Sequence, residues 1–266
     1  MTARLLAALF VLALWWLSTG VVLRLVWLGR DTFRRSAAGA TLLAAAGLYG
    51  LWWSAPLASA GAAYLAFASA LAVWAWHELT FLFGAVTGPR TRPCPPQAAG
   101  WRRFGLATAA LLYHELALAL TIPILIALTR GGPNRVGLET FLVLWVMRLS
   151  AKLNVFLGVR NLAEGFLPAH LRYLLSYARR ARLNPLMPAS LAAASAAAIH
   201  LGALSLAADA SPLTAVGGAL VTTLLVLAVL EHVFLALPLP DALLWRWALP
   251  TPAPSKPLGA LRAEAR

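Results

Sequence analysis

The chain has 266 residues, 61% of them hydrophobic and only 12% charged, with a mean hydropathy of +0.76. Those values rule out an ordinary water-soluble domain and indicate a polytopic membrane protein. The net charge of +13 would speak for nucleic acid in a soluble domain, but in so apolar a chain basic residues are topology signals, so the expected partner is the lipid bilayer and no nucleic acid.

Seven apolar segments, each of roughly 17 to 30 residues, can cross a hydrocarbon core about 30 Å thick. In chain order they are Leu5 to Leu28, Ala37 to Trp53, Leu57 to Val86, Phe104 to Thr129, Val136 to Val159, Met187 to Ala207 and Leu213 to Leu237. The second is the shortest. The first follows a lone Arg4 as a signal peptide would, but its apolar run is too long and no A-x-A-like site follows, so it reads as an uncleaved anchor.

Basic residues alternate between the connections. One side receives Arg30, Arg34, Arg35, Arg90, Arg92, Arg102, Arg103, Arg160, Arg172, Arg179, Arg180, Arg182, Arg246, Lys256, Arg262 and Arg266; the other receives Arg4, Arg130 and Arg135. Basic loops stay in the cytoplasm. The expected fold is therefore an all-α, polytopic membrane helix bundle of seven transmembrane helices, N-terminus periplasmic and C-terminus cytoplasmic. Residues 1–249 form one helical domain and 250–266, with four prolines, a flexible cytoplasmic tail. Dropping the short second segment would scramble the alternation of charge.

Two cytoplasmic connections have character of their own. Gly88 to Pro96, GPRTRPCPP, is too rich in proline and glycine for regular structure. Cys94 within it, the single cysteine, permits no internal disulfide and reads as an unreactive loop residue. From Pro168, Leu171, Leu174, Leu175 and Ala178 share one helical face and Arg172, Ser176, Arg179 and Arg180 another. That pattern predicts an amphipathic helix near 168–182 on the cytoplasmic leaflet, against the blander reading of a solvated basic loop.

The chemistry gathers in the fifth segment. Arg148 and Lys152 are four residues apart, one above the other on a helix face, while Ser150 and Asn154 fall at about 200 to 240° from Arg148. Ionisable groups at this depth point into a bundle and need partners. Three histidine and glutamate pairs inside other segments offer them: His77 with Glu78, His114 with Glu115, and Glu231 with His232. Counted from the cytoplasmic helix ends, all fall in one layer roughly 9 to 15 Å deep. Three carboxylates facing two cations leave one surplus negative charge, which a proton, a histidine or a bound cation could balance.

Neither an H-E-x-x-H zinc motif nor the E-x-x-H of di-iron bundles is present, because positions 81, 118 and 234 are Phe, Leu and Phe. Any metal would have to be held between helices by His77, Glu78, His114, Glu115, Glu231 and His232. The same residues suit three readings: a salt-bridge network that fixes helix register, a magnesium tetrapyrrole on one or more imidazoles, or a metal-dependent enzyme. His200, alone among alanines, reads as a helix–helix hydrogen bond. Gly84 and Gly88 give a G-x-x-x-G spacing that reads as close helix packing.

Several stretches carry a resemblance: GPRTRPCPP at 88–96, YHELALAL at 113–120, MRLSAKLNVFLGVRNL at 147–162, FLPAHLRYLLSYARR at 166–180 and EHVFLALPLPDALLWRWAL at 231–249. In them the chain resembles the photosynthetic complex assembly protein 2 family (PuhE) of purple phototrophic bacteria. Before Trp74 the likeness rests on LWWLSTG, Leu14 to Gly20. The resemblance implies a protein of the bacterial inner (photosynthetic) membrane that supports bacteriochlorophyll supply or delivery to reaction centre and light-harvesting complexes. Its implied partners are subunits of those complexes and pigment-synthesis proteins.

No catalytic motif comes with the likeness, and no catalytic residue is assigned. The cofactor-binding candidates are His77, Glu78, His114, Glu115, Arg148, Lys152, Glu231 and His232. Bacteriochlorophyll or a precursor would bind through His77, His114 or His232 to magnesium, with Arg148 or Lys152 on a pigment carboxyl. The alternatives are a metal-dependent membrane enzyme of tetrapyrrole metabolism and, last, a proton or ion transporter.

Overall fold

The computed structural model describes residues 1–162, 164–182, 184–237 and 241–249, and the predicted tail at 250–266 lies outside them. The described residues form seven long α-helices joined by short 3₁₀ segments and irregular connections: α1 (Thr2–Trp27), α2 (Phe33–Ser54), α3 (Ala60–Leu82), α4 (Gly100–Leu128), α5 (Val136–Leu157), α6 (Leu186–Leu206) and α7 (Pro212–Ala236). Six of them, all but α2, are long and apolar enough to cross a membrane. Large apolar side chains such as Leu42, Leu120 and Ile199 stand exposed around the outside. A water-soluble surface does not carry so continuous an apolar shell, and a bilayer requires one.

Start and stop signals are local. Ser59 accepts the Ala62 N–H at 3.2 Å and Ser211, ahead of Pro212, accepts that of Thr214 at 3.1 Å, so both α3 and α7 open on a side-chain cap. The helix α4 runs on through Pro123.

The helices alternate in direction. At one pole Asn134 binds the carbonyls of Ser54 and Ala62, and Arg4 that of Ser205. At the other Asn184 ties the Asn154 and Gly158 carbonyls, and the Arg160 N–H meets Leu235. This second pole carries Arg30, Arg34, Arg35, Arg90, Arg92, Arg102, Arg103, Arg160 and the arginines of 172–182; the first carries Arg4, Arg130 and Arg135. α3 and α7 are the most deeply buried helices, around Phe67, Phe141, Leu118 and Leu220.

α2 lies antiparallel along the whole of α3. Phe33 stacks on Phe83 at one end, Trp76 donates to Thr41 at 3.0 Å in the middle, and Gly50 lets Ser69 and Leu65 come close near the other.

Three expectations change. α3 ends at Leu82, so Gly84 and Gly88 are not on a helix; Gly84 takes φ +78° and Gly88 lies flat on the Ala109 and Ala110 backbone of α4. The close approach is real, but it is a loop on a helix. The predicted amphipathic helix near 168–182 is instead a 3₁₀ segment, Ala169–Tyr177, followed by a bridge between Val159 and Arg180. Protein, not lipid, covers part of it: Leu171 and Tyr177 are buried, His170 Nε2 meets the Leu82 carbonyl at 2.9 Å, and Tyr177 Oη accepts from Arg90 and donates to the Arg92 carbonyl. Those fixed anchors favour a tighter path than an α-helix. Finally, His200 is exposed on the outer side of α6, because α6 packs chiefly on α7.

Candidate polar site between the helices

α5 presents two polar faces, as its sequence requires. On the first, Arg148 grips Glu78 of α3 with two nitrogens, Nη2 to Oε2 at 2.8 Å and Nε to Oε1 at 3.3 Å. One turn on, Lys152 Nζ reaches Glu115 Oε1 of α4 at 2.5 Å, with the Phe81 ring 5.9 Å away. One turn back, Trp145 Nε1 donates to the other Glu115 oxygen at 3.4 Å. Three successive turns of α5 thus bind two carboxylates from two neighbouring helices, and the register of α3, α4 and α5 is fixed by charge.

The opposite face is neutral. Ser150 Oγ lies 3.0 Å from both Ser190 Oγ of α6 and His232 Nε2 of α7. Asn154 Nδ2 donates to the Ser150 carbonyl and to Ser190 Oγ at 3.1 Å. His232 Nδ1 faces the Ala228 carbonyl at 2.9 Å, so it carries the hydrogen, and Nε2 lies against Ser150 Oγ. α5 is therefore the hub that joins α3 and α4 to α6 and α7.

Glu78 and Glu115 meet Arg148 and Lys152 on adjoining turns of α5, but that level cannot be counted from helix ends. Glu78 is four residues from the end of α3 and Glu115 fifteen from the start of α4, roughly 6 and 22 Å at 1.5 Å per residue. They sit side by side because the 83–99 connection turns back along α4, where the Thr87 carbonyl accepts the His114 N–H at 3.0 Å.

Glu231 departs from expectation. It pairs with neither cation; it is exposed, and Oε1 accepts from Trp15 Nε1 of α1 at 3.0 Å. Adjacent helical residues diverge by about 100°, so with His232 turned inward to Ser150, Glu231 is turned out. Among the described residues its second oxygen has no partner. Arg148 also opens outward. Its side chain is 44% exposed against 11% for Glu78, and Nη1 has no partner among the described residues.

The imidazoles do not fit a resident magnesium tetrapyrrole. His77, His114 and His232 are 3%, 1% and 2% exposed, and an axial ligand must present an open ring nitrogen to a flat macrocycle. Both nitrogens of His232 are engaged. His77 Nε2 meets Thr121 Oγ1 at 2.9 Å, and its ring is enclosed by Trp76 and Phe141. The His114 ring lies against Phe81. The Nδ1 atoms of His77 and His114 are buried without a partner, but aromatic rings close the space a macrocycle would need. Among the described residues, no three His, Cys, Asp or Glu side chains gather as a metal-holding group.

Trp15, Thr121, Trp145 and Ser190 were not singled out in sequence. Trp145 is three residues before Arg148, on its face, a signal that spacing carries; Ser190 is hidden in an alanine-rich helix.

A family profile described as "Protein of unknown function (DUF3623)" matches residues 1–256. A protein of Rhodobacter capsulatus, described as "Uncharacterized 30.4 kDa protein in puhA 5'region", is 41% identical over 251 residues, covering 92% of this chain and 91% of that protein. No solved structure matches.

Proposed function

The chain belongs to the DUF3623 family, and from that premise we propose that it is a membrane-embedded accessory factor for assembly of photosynthetic complexes. The position of its relative beside puhA supports a photosynthesis-related role and agrees with the resemblance to the PuhE family. In this reading the protein resides in the inner photosynthetic membrane and engages reaction-centre or light-harvesting subunits as they receive bacteriochlorophyll. Pigment is handled with the client subunit, since the three imidazoles are closed.

We further propose seven spans, with the basic pole cytoplasmic and the N-terminus periplasmic. α2 accompanies α3 from end to end, so a slab that contains α3 contains α2. The excess of arginine at one pole supplies the orientation.

The observation that carries the reading is the exposure of Arg148 and Glu231 on the apolar helices α5 and α7. Charged groups left open in hydrocarbon are costly, and a factor that grips clients in the membrane plane needs such points. Affinity purification of the tagged protein from a pigment-making host tests this. Client subunits and pigment should elute with the wild type and be lost with a folded Arg148→Met, Glu231→Gln double variant. Equal recovery from both refutes the proposal.

A further inference from the structure

A cleft of about 440 Å³ opens at the basic pole, where the α1–α2 turn meets the 3₁₀ segment Ala169–Tyr177. Its apolar part is Val26, Phe33 and Pro168; its polar part is Trp27, Arg30 and His170. The site lies at the ends of α1 and α2, the level at which tryptophan and arginine meet lipid headgroups.

Two features of its polar part ask for an anion. Arg30 is exposed and has no hydrogen-bond or ion-pair partner among the described residues. The Trp27 indole Nε1 is buried without an acceptor, an unmet donor, whereas the indoles of Trp15, Trp16, Trp76, Trp145 and Trp245 each meet one. His170 donates its Nε2 hydrogen to the Leu82 carbonyl, so its Nδ1 is a lone-pair acceptor and adds nothing to the attraction for an anion. Asp31 is the nearby acid; its carboxylate lies against Gly29 and makes no ion pair with Arg30 among the described residues.

We propose that this cleft binds a phosphate group, with Arg30 as the charged ligand, the Trp27 N–H as a neutral donor, and Val26, Phe33 and Pro168 against an attached apolar portion. Two sources share that chemistry, the headgroup of an anionic phospholipid and free phosphate. The apolar lining favours the lipid. A lipid held between the α1–α2 turn and the 3₁₀ segment would tie two separate parts of the chain at one pole. This is independent of the reading of Arg148 and Glu231.

The test is native mass spectrometry of the full chain in a neutral detergent, titrated separately with short-chain phosphatidylglycerol, short-chain phosphatidylcholine and inorganic phosphate. The expected result is one phosphatidylglycerol bound in preference to phosphatidylcholine. Arg30→Gln should weaken it about fivefold. Trp27→Phe, which keeps the apolar ring and removes the N–H, should weaken it measurably. Arg34→Gln, outside the cleft, should leave it unchanged. Competition by inorganic phosphate at comparable concentration assigns the site to free phosphate and upholds the phosphate chemistry. No preference for phosphatidylglycerol in the wild type overturns the proposal. So does equal weakening by Arg34→Gln, which reports diffuse charge, or unchanged binding in both cleft variants.

Discussion

The ion pair between Glu78 and Arg148 can be weighed by a double-mutant cycle. Arg148→Leu strands a carboxylate whose side chain is only 11% exposed, and breaking a buried pair from one side costs about 3–5 kcal/mol. Glu78→Leu strands a guanidinium that is 44% exposed and can turn outward, so its cost is smaller, about 2–3 kcal/mol, near the insertion cost of an arginine in a membrane helix. The double leucine variant leaves no charge and fills the space, which is often neutral relative to the pair. Its destabilisation should fall below about 2 kcal/mol, giving a coupling of at least about 3 kcal/mol. The measurement is reversible unfolding in mixed micelles, for the four proteins and for the same cycle at Glu164 and Arg180, where both partners are largely exposed and the coupling should stay below about 1 kcal/mol. If the Glu78 and Arg148 costs add to within about 0.5 kcal/mol in the double variant, the pair does not organise the bundle and the hub role of α5 is wrong.

Gly88→Ala places a methyl on the Ala109 and Ala110 backbone and should cost about 1–3 kcal/mol in thermal unfolding, while Gly61→Ala, which meets nothing within 4 Å, should be neutral or stabilising. Asn134→Ala removes both bonds to the Ser54 and Ala62 carbonyls and should destabilise by about 2–3 kcal/mol, read by the same unfolding assay. Burial, opposed by the Leu82 hydrogen bond and reinforced by Arg30, holds the His170 pKa below its ordinary value of 6.5. Its contribution to stability is therefore complete above about pH 6.5 and lost as pH falls through the folded value. Denaturant midpoints measured from pH 8 to pH 5 in phosphate-free buffer should decline less for His170→Gln than for the wild type.

The six helices apolar enough to cross a membrane were legible because each is a long apolar run, and the hub helix because cations at 148 and 152 share a face while Ser150 and Asn154 share the opposite one. Which carboxylate meets which cation was not legible. That depends on lateral helix order and on the 83–99 connection, which turns back to put Glu115 beside Glu78 although the two are unequally far from their helix ends. Glu231 looked like a third partner by depth alone, but depth says nothing of azimuth. Once His232 is committed to Ser150, its neighbour must face α1. The segment after Pro168 has helical periodicity, yet its anchors on Leu82, Arg90 and Arg92 come from residues some eighty positions away, and no local pattern reports them.

The rival readings part company at the same residues. A transporter needs a site near the midplane on interrupted helices, whereas α3, α4, α5 and α7 pass unbroken through the charged layer and both its cations are tied to carboxylates. A metal-dependent enzyme needs donors that converge, and among the described residues they do not. Among the described residues, one guanidinium nitrogen of Arg148 and one carboxylate oxygen of Glu231 have no partner, on side chains that are themselves exposed. Solutes from water cannot reach such points through hydrocarbon; helices diffusing in the membrane plane can. In the proposed reading, because the two points have opposite sign, a client carrying complementary charges at matching depths would be held in one orientation, and a client with the signs exchanged would be repelled at both. The specificity of an assembly factor would then lie in the pattern of two charges, with no need for a pocket.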